Sequence, residues 1–143
     1  MYTILKKQYF MMLLPAVGLF LAFGLARGLN FIRPGQFVLP YVLHSALFVL
    51  SAITAIAGPL LCRTLFAHSR RNQSQVTAKE FLEFQKKILW ISLIAPYLAF
   101  IAVLCDFSRF FAATIVLMAL YAIYYYFPSQ KRINFDRKIF RVK

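Results

Sequence analysis

The sequence predicts an all-α integral membrane protein, a bundle of four transmembrane helices with both termini on the cytoplasmic side. Three observations predict it. Hydrophobic residues make up 62% of the 143 and charged residues only 15%, where soluble domains carry about 25%. The charges leave four uncharged runs, at residues 8–26, 34–62, 88–105 and 110–130. Of seventeen Lys and Arg, fourteen fall in the segments that four crossings place on one side. A mean hydropathy of +0.69 excludes a disordered chain, a disulfide scaffold and an ordinary soluble enzyme.

Each uncharged run is long enough for one span, since crossing about 30 Å of hydrocarbon takes roughly 20 residues at about 1.5 Å each. Lipid supplies no partner for an open backbone N–H or C=O, so the spans must be helices. The expected organisation is a single membrane domain over 1–143 with helices at about 8–29, 37–62, 78–105 and 110–128. A cytoplasmic loop over 63–77 and a basic tail over 129–143 complete it. The positive-inside rule puts the side with fourteen bases in the cytoplasm and leaves Arg27, Arg33 and Arg109 outside.

The first helix follows Lys6 and Lys7 and carries Pro15. Gly18, Ala22 and Ala26 form one small-residue face, and Gly24 and Gly28 another, suited to close packing inside the bundle. The alternative, a cleaved leader ending at Gly24-Leu25-Ala26, is disfavoured by a 19-residue uncharged run and by Arg27 directly after it. Arg27 and Arg33 flank the outer end, where they snorkel to the interface or hold a phosphate headgroup.

The second helix starts near Phe37, after the turn Pro34-Gly35-Gln36. Its Ser51, Thr54, Ala55 and Gly58 form a second small-residue face. His44 is the one ionisable side chain well inside a span. It reads as a buried neutral imidazole bonded to a neighbouring helix, or as a hydrogen-bonding ligand for a quinone-type molecule.

In the middle loop, Ser69–Gln75 reads as a hinge. Thr77-Ala78-Lys79-Glu80 is a capping box, and Val76 with Phe81 makes a hydrophobic staple across it. A helix from Ala78 to Cys105 is about 42 Å long, so it tilts or projects into the cytoplasm. Phe81 and Phe84 lie on that projection and read as contacts for lipid headgroups or a partner, as do Arg132, Phe135, Arg137 and Lys138 in the tail. Phe135, Ile139 and Val142 share one helical face, which suits an amphipathic segment on the inner leaflet. Trp90, Tyr121, Tyr124, Tyr125 and Tyr126 read as an interfacial aromatic belt.

The halves resemble each other. Lys6-Lys7 precedes a span with Pro15, and Lys86-Lys87 one with Pro96. Helices two and four end in P-x-x-x-R-x-x-F, as Pro59, Arg63, Phe66 and as Pro128, Arg132, Phe135. A duplication would give two parallel hairpins, with Pro15 and Pro96 kinking equivalent helices at equivalent depth. Chance gives the same pattern if Pro and Arg simply mark helix ends.

Catalytic chemistry is not legible. No carboxylate lies inside a span, where a proton carrier would need one. Asp106 with Arg109 reads as a cap or surface pair at the outer boundary. Cys62 and Cys105 fall at opposite ends of the bundle and cannot bridge. No metal spacing or phosphate loop appears, and no cofactor is implied. The bases adjoin spans, where anionic headgroups attract each by about 1 kcal/mol; nucleic acid is not the expected partner. The expectation is a non-catalytic small subunit of a larger inner-membrane assembly for transport, secretion or respiration. The alternative is a homo-oligomeric transporter or channel for a lipid-like or uncharged solute.

Overall fold

The computed structural model describes residues 1–32, 39–71 and 75–142. The described chain is helical: α1 Tyr2–Gly28, α2 Tyr41–Ala52, α3 Gly58–Ser69, α4 Ala78–Ser92, α5 Ala95–Leu104, α6 Arg109–Tyr125 and α7 Gln130–Ile139. Three helical stretches are long and apolar enough to cross a membrane: Tyr2–Gly28, Tyr41–Ser69 and Ala78–Leu104. Helices α6 and α7 pass the same test only as a pair, bent by 77°. Arg33, the turn at 34–36, the expected start of helix two near Phe37 and the middle of the expected hinge lie outside the described residues.

Prolines set the internal geometry of these helices in three different ways. Pro15 sits inside α1, which runs through it without interruption. Pro96 instead splits the third span. A proline at this position cannot donate to the Ser92 carbonyl, and its ring crowds that carbonyl. So α4 ends at Ser92 and α5 restarts with Pro96 in its first turn, where the missing N–H costs nothing. The expected matching kinks at Pro15 and Pro96 are therefore not observed.

Helix two runs past its expected end at residue 62 to Ser69, with Pro59 inside it. Pro59 cannot bond the Ala55 carbonyl, and the backbone widens into a π-helical turn over Ile53–Ala57. The Gly58 N–H reaches back five residues to the Ile53 carbonyl. The Thr54 hydroxyl is shared between the Leu50 and Ser51 carbonyls, at 3.0 and 3.1 Å.

Three helices end in the same hydrogen-bonded turn. Asn30, Asp106 and Arg141 have φ of 60, 52 and 49°. The N–H one residue further, of Phe31, Phe107 and Val142, bonds to the carbonyls of Ala26, Ala102 and Arg137 at 3.0, 3.2 and 3.0 Å. This is the Schellman arrangement, with a side chain where glycine is usual. Asp106 enters this turn through its backbone, at the end of α5.

The α4–α5 stretch is the centre of the bundle, with half of its apolar window buried. For α1 the share is 11% and for α2–α3 22%. Helix α6 packs on α5 and α2, α3 on α4, and α1 on α5 and α4. Two tyrosines tie α1 in. Tyr9 donates to the Ile123 carbonyl at 2.8 Å, and Tyr97, next to Pro96, donates to the Met12 carbonyl at 2.6 Å.

The two small-residue faces have opposite fates. Ser51 and Ala55 are fully buried. A Cβ on Gly58 would meet Ile91 Cγ2 at 2.9 Å and the Ile53 carbonyl oxygen at 3.0 Å. Helix two therefore packs through its small face, as expected. On α1 the expectation of internal packing is wrong. A Cβ on Gly18, Gly24 or Gly28 would meet nothing within 4 Å, and Ala22 is exposed. The residues that α1 buries are Leu5, Tyr9 and Ala16, on a different face.

Candidate functional site

One end of the bundle gathers the basic segments. The start of α1, the end of α3, the segment around Val76 and α7 meet there. Leu5, Gln85 and Ile133 line one crevice, Val76 pairs with Val142 in an isolated bridge, and Arg63 reaches Asp136. These segments thus share one end of the bundle.

Ser129 starts α7. Its hydroxyl accepts from the Arg132 N–H at 3.3 Å, a regular N-cap. Ile133 and Asp136, three residues apart, face the bundle and are 5% and 3% exposed. The Asp136 carboxylate accepts from Arg63 Nη2 at 2.7 Å and from Gln85 Nε2 at 3.0 Å. One acid thereby ties α7 to α3 and α4. In the sequence Asp136 stands among the tail's bases with nothing to single it out. The available signal was an acid three residues after Ile133 on a short amphipathic helix, with Arg63 left at a helix end.

Arg132 is also engaged. It donates to the Tyr125 carbonyl at the end of α6, one of the carbonyls a helix leaves open. Its guanidinium lies 4.6 and 5.3 Å from the Tyr125 and Tyr126 ring centroids. The expected docking role of Arg132 is corrected accordingly: it caps α6. Tyr126 is buried at 5% exposure and leaves the expected belt, whereas Trp90, Tyr121, Tyr124 and Tyr125 are exposed.

Phe81 and Phe84 require a like correction. They are 0% and 7% exposed and belong to an aromatic cluster. Phe84 stacks on Phe66 at 4.0 Å, and Phe140 meets Phe66, Phe81 and Phe84 at 5.3 to 6.1 Å. The projection of α4 buries these rings under the loop and tail, so neither is presented to a partner. Phe135 and Ile139 of α7 remain outward, at 62% and 50% exposure, and Arg137 and Lys138 are exposed with them. Val142 falls beyond the end of α7, in the bridge to Val76, not on the expected shared helical face. The two P-x-x-x-R-x-x-F segments diverge in role. Arg63 binds Asp136 while Arg132 caps α6, and Phe66 is packed while Phe135 is bare.

The capping box is present as expected. Thr77 Oγ1 accepts from the Glu80 N–H at 3.4 Å, and the Glu80 carboxylate accepts from the Thr77 N–H at 3.3 Å. Those bonds, with Arg70 at 3.0 Å, hold the Glu80 carboxyl below its usual range. Arg70 stands at the join of two clefts. One, of about 450 Å³, lies between Phe66, Glu83 and Lys87; the other, of about 290 Å³, lies between Arg71, Ile139 and Arg141.

His44 lies at the opposite end, in the first turn of α2. Its ring lies tilted by 30° against Phe107, centroids 3.9 Å apart, with Tyr41 and Phe111 at 5.8 and 6.2 Å. Both ring nitrogens are buried with no hydrogen-bond partner among the described residues. The expected bond to a neighbouring helix is replaced by an aromatic contact. Arg27 ends α1 and is exposed. Cys62 and Cys105 are free thiols. Among the described residues no group of three or more His, Cys, Asp or Glu stands together to hold a metal. No family model, curated protein or solved structure matches this chain.

Proposed function

We propose that this protein is a non-catalytic subunit of a larger assembly in a bacterial-type inner membrane, with four spans and both termini inside. It meets its neighbours through the outer face of α1. The observation that carries the reading is that both small-residue faces of α1, Gly18 with Ala22 and Gly24 with Gly28, are uncovered. Small residues on a membrane helix let a second backbone approach closely, and in lipid such packing is a main source of helix association. Here the chain's own helices leave those faces open, while the equivalent face of helix two is filled. The basic end supports the same reading, with Phe135, Arg137, Lys138 and Ile139 outward on a helix turned 77° from α6. A helix so turned rests along the inner surface when α6 crosses the bilayer.

The test is co-purification in mild detergent with Gly18→Leu and Gly24→Leu introduced together. Each new side chain enters open space in this chain, so the isolated protein stays folded. Loss of the co-purifying subunits with unchanged thermal stability is the expected result. Recovery of the wild-type protein alone, as a monodisperse monomer, overturns the proposal. A particle holding only copies of this chain favours the homo-oligomeric transporter instead.

A further inference from the structure

We propose that the cleft where the end of α3 faces the end of α7 binds the phosphate of an anionic phospholipid. It rests on the reading above that this end lies at an inner leaflet. Arg70 and Arg71 stand on the α3 wall, Arg141 on the α7 wall, and Val76, Ile139 and Phe140 between them, around a volume of about 290 Å³. That is near the lower limit of ligand pockets, enough for a phosphate and the first part of what it esterifies.

Two features point to an anion. The first is like charge brought together. Arg70 has its carboxylate, Glu80, at 3.0 Å; no ion pair engages Arg71 or Arg141 among the described residues. Three arginines around one cleft, one of them ion-paired, leave positive charge there, and a phosphate offsets it through charge-assisted bonds. The second is preorganisation. The Arg141 N–H bonds to the Lys138 carbonyl at 3.4 Å and the Val142 N–H to the Arg137 carbonyl at 3.0 Å. Val142 then pairs with Val76, so the α7 wall is bonded to the loop across from it. Rigid placement lowers the cost of binding.

Lipid is favoured over free phosphate by the apolar border. Ile139 lines the cleft and is half exposed, and Phe135, one turn earlier, is 62% exposed. A phosphate joined to hydrocarbon gains from both the arginines and this border, whereas inorganic phosphate gains only from the arginines.

The experiment uses the full chain in maltoside micelles and follows thermal unfolding with dioleoyl phosphatidylglycerol, dioleoyl phosphatidylcholine or inorganic phosphate at equal phosphate concentration. Phosphatidylglycerol is expected to raise the midpoint most. The double variant Arg71→Gln with Arg141→Gln is expected to lose at least half of that rise. Lys7→Gln with Lys131→Gln, an equal loss of charge at exposed positions outside the cleft, is expected to keep it. Arg141→Gly, which suits the left-handed backbone, checks that a lost response is not lost folding. Equal losses in the two double variants mean diffuse attraction and overturn the site, as does a full response in the arginine variant. Inorganic phosphate matching phosphatidylglycerol overturns the assignment to lipid. If the arginine-dependent response holds while surface labelling places this end outside the cell, the site stands and the reading of orientation falls.

Discussion

Asp136 exchanges water for two bonded neighbours, the Arg63 guanidinium and the Gln85 amide. Its side chain is 5% exposed and that of Arg63 33%, so the pair is only half withdrawn from water and its worth is below that of a fully buried one. Breaking a buried pair on one side costs about 3–5 kcal/mol, because a charge is left without its partner. With Arg63 still reaching solvent, Asp136→Ala is expected to cost about 2 kcal/mol. The loss should be local: trypsin then cuts the 130–142 segment faster while the rest of the chain resists. Replacing both members, Arg63→Leu with Asp136→Leu, should recover much of the protection, since apolar isosteres often match a buried pair. A double variant as sensitive as the single one would show that the pair does more than tie α7 down. His44 poses the converse case. Two buried ring nitrogens without partners among the described residues carry a desolvation cost of about 1–3 kcal/mol, and the ring already lies in an aromatic setting. His44→Phe is therefore expected to raise the unfolding midpoint in detergent. A fall would mean that the imidazole has a partner the fold does not supply, such as a bound molecule.

Helix two depends on an arrangement that a single methyl group disturbs. Its π turn lets Pro59 stay within a continuous helix and presses Gly58 against Ile91 and the Ile53 carbonyl. Gly58→Ala must move one of them, and overpacking of this kind costs about 1–3 kcal/mol. The expected result is a lower unfolding midpoint, against no loss for Gly24→Ala on the open face of α1. Equal effects would mean that glycine acts only through helix propensity. The comparison also shows where sequence was informative. The small-residue spacing on α1 and on helix two is equally visible, but spacing does not say which face another helix covers. Composition likewise placed Pro15, Pro59 and Pro96 without showing that one is absorbed, one widens the helix and one splits it. The capping box at Thr77 and Glu80 was fully legible because both partners lie within four residues. Asp136 was not, because Arg63 and Gln85 stand 73 and 51 positions away.

Across the whole molecule, charge and fold agree on one point that neither was built from the other to satisfy. Counting bases along the chain puts the N-terminus, the 63–77 loop and the tail together, and the helices bring the same three segments to one end. Orientation in the bilayer then follows from the positive-inside rule alone, and it can be read with two reporters. In a background with Cys62→Ser and Cys105→Ser, one cysteine is placed at Leu29 and another, in a separate variant, at Gln75. Both positions are exposed, at opposite ends of the bundle. A thiol reagent that does not cross lipid should label position 29 in intact cells and reach position 75 only after the membrane is opened. An even number of crossings requires Met1 to share the fate of Gln75, so an epitope at the N-terminus gives an independent reading of the same side. Label at 75 in intact cells would invert the molecule and put its cationic end outside. Label at both would mean that the stretch between them, Tyr41–Ser69, does not cross. The crossing of α6, whose 17 residues reach about 26 Å at 1.5 Å each, just short of the hydrocarbon thickness without the turn into α7, is read by a further cysteine at the exposed Lys138, which should share the fate of Gln75.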